Sequence, residues 1–72
     1  MNKYLIMPYN GRWYQQMADS AEMAYRKVCS WYGSQVLIGI MDLESNITEV
    51  FHRELDDNGN LVKIVKGVII HE

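Results

Sequence analysis

Cys29 is the only thiol in this 72-residue chain, and His52 and His71 are its only histidines. A cysteine nucleophile needs a histidine within reach and surroundings that favour the thiolate. Cys29 falls late in a helical stretch, where the negative end of the helix dipole works against a thiolate. A lone cysteine there behaves as a small hydrophobe. One cysteine and two separated histidines fall short of a four-ligand structural zinc set. The run Asp56-Asp57-Asn58-Gly59-Asn60 has the oxygen ligands of a calcium loop. Its glycine stands fourth rather than sixth, however, and no glutamate closes the loop at position twelve. A tight turn accounts for it. No metal, cofactor or catalytic residue is assigned, and the reading is non-enzymatic.

Arg12, Trp13 and Tyr14, with Tyr4 and Tyr9 nearby, offer a different chemistry. Aromatic rings on a sheet beside cationic side chains can stack the bases of single strands. Nine acidic and seven basic residues leave a net charge of −2, and the signs are interleaved. That balance lacks the basic stripe of a generic phosphate-binding surface. Single-stranded nucleic-acid binding through Arg12, Trp13 and Tyr14 is therefore the alternative reading.

The elements that position these residues follow from periodicity and turn signals. Lys3 to Met7 reads as a strand ended by Pro8. Asn10-Gly11 signals a two-residue type I′ hairpin turn, with Arg12 to Ala18 as the return strand. That turn sets Tyr9 opposite Arg12, Met7 opposite Tyr14 and Tyr4 opposite Met17. A helix follows from Asp19 to Gly33. Asp19 and Glu22 form a capping box, with Ser20 as the other possible cap. Ala21, Ala24, Tyr25, Val28, Trp31 and Tyr32 share its apolar face, and Gly33 is expected as a left-handed C-cap. Three strands complete the chain: Gln35 to Leu43, Ile47 to Leu55 and Leu61 to Ile70. Gly67 is read as a bulge, and Lys63 and Lys66 as solvated edge charges.

The expected fold is one α+β domain over residues 1–72, in the order β-β-α-β-β-β. Its mainly antiparallel sheet carries one helix on one face. The hairpin–helix–strand order, with "ADSAEMAYRKV" entering the helix, is similar to an arrangement in many small α+β proteins, some of them ribosomal or enzyme-accessory subunits. The likeness spans about half the chain and carries no functional residue across.

That layout leaves an apolar surplus. The hydrophobic fraction is 49%, high for a chain with so small an interior. Five strands make a sheet about 24 Å wide, whereas a helix is about 10–12 Å across. Tyr4, Ile6, Trp13 and Met17 are placed under the helix with Val36, Ile38 and Ile40. Leu5, Met7, Tyr9, Tyr14, Leu37 and Met41 then face away. Burying four or five such side chains stabilises an assembly by about 6–12 kcal/mol before ordering costs. The fourth strand is left unassigned, with Ile47 and Phe51 opposing Val50.

The reading is a self-associating interaction or accessory module, a homodimer or the partner of another protein, with Leu5, Met7, Tyr9, Tyr14, Leu37 and Met41 as contact surface. No segment has the about 18 apolar residues of a membrane span. The N-terminal stretch lacks a signal-peptide cleavage pattern, so a cytoplasmic setting is expected. The tripeptide Asn46-Ile47-Thr48 is then a chance glycosylation match. The small size suggests a bacterial accessory protein.

Overall fold

The computed structural model describes residues 1–70; His71 lies outside the described residues. The strands are β1 (Asn2–Pro8), β2 (Tyr14–Ala18), β3 (Ile38–Asp42), β4 (Ile47–Leu55) and β5 (Leu61–Ile70). One helix, α1 (Ala21–Val28), lies between β2 and β3. The strands form a single antiparallel sheet in the order β2-β1-β3-β4-β5. The fold is the expected α+β domain.

Helix α1 is shorter than the periodicity suggests. Ser20, not Asp19, caps it: its Oγ accepts the Met23 N–H at 3.2 Å. After Val28 the chain tightens into a 3-10 turn, Cys29–Trp31, and Tyr32 leaves it with extended backbone. Gly33 has no positive φ, so the left-handed cap does not form. Ala21, Ala24, Tyr25 and Val28 are buried against β1, β2 and β3. Tyr25 also reaches β4, stacking on Phe51 with ring centroids 5.0 Å apart. The core is these residues with Tyr4, Ile6, Ala18, Ile38 and Ile40. Trp31, expected on the buried face, is 67% exposed.

The first hairpin departs by one residue from the expected register. Tyr4 faces Gln16, Leu5 faces Gln15 and Ile6 faces Tyr14. Asn10 and Gly11 have no positive φ, so no type I′ turn forms. Instead Gly11 N–H donates to Pro8 O at 3.4 Å inside a wider loop. Pro8 stays within β1, buried and paired with Ile38. A one-residue slip turns every side chain of a strand to the other face. It brings Ala18, with almost no side-chain volume, beneath the start of α1. Met17 moves to the opposite face, where it is 42% exposed. Trp13 falls in the loop at 66% exposure rather than under the helix.

β4 has the expected bounds, and its pairing resolves its faces. Ile38 faces Phe51 and Ile40 faces Glu49, so Phe51, Glu49 and Arg53 share the helix side. Thr48, Val50 and His52 take the other. The irregularity in the β4–β5 ladder lies at Glu54/Leu55, where Val62 is the extra residue. Gly67 pairs regularly with Val50 and is not a bulge. Lys63 and Lys66 bind Glu54 and Glu49 at 3.7 and 3.1 Å, and so are ion-paired rather than merely solvated.

The β4–β5 loop is organised by Asp56. Its Oδ1 accepts the N–H groups of Asn58 and Asn60, both at 2.9 Å, while Gly59 takes φ +83°. These donors, the Asn60 N–H foremost, hold the Asp56 carboxyl below its ordinary range. A carboxylate lowered on folding contributes stability that is present above its unfolded value and lost as pH falls through its folded one. Amide-exchange protection at Asn58 and Asn60 should therefore weaken on acidification below about pH 4. It should be weak at every pH in Asp56→Ala. Equal protection in both proteins at neutral pH would contradict this.

Candidate interaction surface

The face of the sheet away from α1 is built by alternation along each strand. β1 contributes Lys3, Leu5 and Met7, and β3 contributes Gly39 and Met41. β4 contributes Thr48, Val50 and His52, and β5 contributes Val65, Gly67 and Ile69. Among the described residues no element packs over it. Gly39 sits at its middle for a steric reason. A Cβ there would stand 3.3 Å from Met7 Cε and 3.5 Å from Thr48 Cγ2. Met7 and Thr48 thus close over a backbone with no side chain of its own. Thr48 is 4% exposed although it lies on the uncovered side.

Five of the six residues expected on this surface fall in one row. Leu5 faces Met41 and Met7 faces Gly39, and the same spacing brings Tyr9 beside Leu37. There Tyr9 N–H donates to Leu37 O at 2.9 Å. Leu5, Met7 and Met41 are half-buried, while Leu37 and Tyr9 are 48% and 86% exposed. At that end of the sheet Tyr9 and Leu37 help to line a cleft of about 560 Å³, with Gly33, Ser34 and Val36.

Tyr14 is the exception. The slipped register places it on the helix side, against the core. Its hydroxyl is 3.4 Å from that of Tyr32, and its ring centroid is 6.3 Å from that of Trp31. Burial, with Tyr32 adding to it, pushes the Tyr14 phenol well above its usual range. The proposed Arg12-Trp13-Tyr14 platform is therefore divided. Arg12 and Trp13 are exposed in the loop, whereas Tyr14 packs inward.

Met17, Val50, Val65 and Ile69 belong to the open surface and were not anticipated there. Anchoring β4 on Phe51 opposite Ile38 is the signal that places Val50, and β5 then follows by alternation.

The residues considered for catalysis are kept apart. Cys29 is on the helix side, half-buried, with its Sγ donating to Arg26 O at 3.7 Å. His52 is on the open side, its Nδ1 3.5 Å from Arg53 O. The sheet separates the two. Among the described residues no three His, Cys, Asp or Glu side chains converge as a metal site, and no helix is long and apolar enough to cross a membrane.

Arg53 is the least conventional residue of the helix side. Its Nη2 donates to Tyr32 O at 2.6 Å, and its backbone N–H donates to Ser34 O at 3.0 Å. Its Nε is buried without a hydrogen-bond partner. The guanidinium also acts on Tyr25. Burial is the main cause that raises that phenol, Cys29 adds to it, and Arg53 opposes it. Arg53 thus ties the segment after α1 down onto β4.

No protein-family model matches the sequence, and no curated protein or solved structure is significantly similar to it.

The placement of Tyr14 has a direct consequence. Tyr14→Glu puts a carboxylate among Trp31, Tyr32 and the core. It should lower fold stability by about 2–4 kcal/mol in urea titrations. Gln15→Glu, one residue along and exposed, should change it by less than about 0.5 kcal/mol. Equal effects of the two would show that Tyr14 does not face the core.

Proposed function

We propose that this chain is a non-enzymatic interaction module that self-associates by packing its uncovered sheet face on that of a second copy. One observation carries the reading: the side of the sheet away from α1 has a row of apolar side chains, Leu5, Met7, Met41, Val50 and Val65, and nothing in the described chain covers it. A contiguous row of half-buried apolar side chains on an uncovered sheet face is the kind of surface that marks interaction sites. A two-fold dimer is the commonest assembly that covers one face with itself. Aligned sheets pack about 10 Å apart with their side chains interdigitated, and the shallow relief left by Gly39 suits that contact. A cytoplasmic accessory protein of a bacterium is the setting this reading favours.

The alternative, single-stranded nucleic-acid binding, rests on the exposed Arg12 and Trp13 without Tyr14. It predicts tryptophan quenching by oligonucleotides that weakens with added salt.

Leu5→Glu separates these readings. A charge inside an apolar contact should weaken self-association about a hundredfold. It should leave the far-ultraviolet circular dichroism and the response to oligonucleotides unchanged. Sedimentation equilibrium gives the first quantity. An unchanged association constant in both Leu5→Glu and the more exposed Leu37→Glu would overturn the proposal. Salt-sensitive quenching would then put the alternative in its place.

A further inference from the structure

The two edges of the sheet are unlike. β2 is five residues long, and the Met17 carbonyl accepts Lys27 Nζ at 3.0 Å and Gln16 Nε2 at 3.3 Å. Short length and a lysine at the edge both discourage further strand pairing. β5 is ten residues long, and among the described residues no side chain is seen to cap its outer edge. Its lysines are drawn back onto β4, Lys63 to Glu54 and Lys66 to Glu49. Both of its sides carry exposed apolar residues: Val68 is 56% exposed on the helix side and Ile69 50% on the open side.

The direction of the outer hydrogen-bonding groups follows from Arg53. Its N–H points to Ser34 O, away from β5. Antiparallel alternation then turns Val50 and His52 towards their β5 partners Gly67 and Val65. The N–H and C=O groups of Ile64, Lys66 and Val68 are left along the outer edge.

We propose that β5 pairs antiparallel with β5 of a second copy about a two-fold axis at Gly67, joining two sheets edge to edge. Such an axis stands perpendicular to the sheet between the strands, so facing residues share a face and the axis passes midway between the two copies of one residue. At Lys66 it would set two ammonium groups directly opposite, which is unfavourable. At Val65 it would draw the bulge at Val62 into the ladder. At Gly67 only backbone meets backbone. Val65 then faces Ile69 of the second copy on the open side. On the other side the Lys66 stem lies along Val68 of the second copy, and the hydrogen bonds run between these outward-pointing residues. The two open faces become one surface across the axis. This pairing does not depend on face-to-face packing.

The test uses the full chain carrying Cys29→Ser. Added Gly67→Cys places its two thiols at the axis. A facing pair without mutual hydrogen bonds has Cα atoms about 4.5 Å apart, within disulfide reach. The new Cβ would meet nothing within 4 Å, so the variant retains the fold. Mild oxidation should give a covalent dimer on non-reducing gels. Val65→Cys, whose two copies are offset by about 14 Å along the strand, should remain single. Val68→Lys, which faces Lys66 of the second copy, should weaken edge pairing about tenfold in sedimentation. Leu5→Glu should leave the Gly67→Cys cross-link intact, which separates this edge from the open face. A folded Gly67→Cys protein that does not cross-link, or Val65→Cys linking as fast, would overturn the proposal. Should Gly67→Cys fail to fold, an unchanged association constant in Val68→Lys would do the same.

Discussion

One short helix must serve a sheet of five strands, and most of the molecule follows from that mismatch. Eight residues make a helix about 12 Å long. It lies over β1, β2 and β3 and reaches β4 through Tyr25, which stacks on Phe51 and meets Arg53. Beneath it everything is closely buried: Ile6, Ile40, Ala24, Val28 and Phe51 are all at 0% exposure. Beyond it the chain improvises. Arg53 and the segment after α1 cover the next part of β4, and the Lys66–Glu49 ion pair ties β5 back to β4 on the same side. On the far side no described element plays the helix's part.

The uncovered side therefore follows from the architecture and not from a few stray residues. A chain of this size has little apolar surface to spare. Here a row of it is kept on one face of the sheet, with Gly39 leaving room for Met7 and Thr48. The β5 edge adds a second unfinished boundary. The β2 edge, by contrast, is finished by Lys27. Within one sheet, then, the β2 edge is covered, whereas one face and the β5 edge are left open among the described residues.

Much of this was legible in the sequence. Strand order along the chain, the apolar stripe of α1 and the limits of β4 follow from periodicity. The inward set Val36, Ile38 and Ile40 follows in the same way. The faces of Leu5, Met7 and Met41 were legible because alternation in β1 and β3 depends only on local pleat. Tyr14 was not, because its face depends on the length of the first hairpin loop. Asn10-Gly11 favours a two-residue turn locally. The fold instead seats Pro8 against Ile38 and the small Ala18 under α1, and tertiary packing outweighs the turn preference. The roles of Val65 and Ile69 were hidden because they depend on β4 register, which only the contact of Phe51 with the core determines. The Arg53 links to Tyr32 and Ser34 join residues far apart in the chain, and no local pattern announces them.

The most direct test of the central claim is the solution mass of the unmodified protein by light scattering across a dilution series. The account predicts a species of at least twice the 8.4 kDa chain mass, giving way to the single chain only on strong dilution. A mass of one chain at every concentration, with the fold intact, would contradict it.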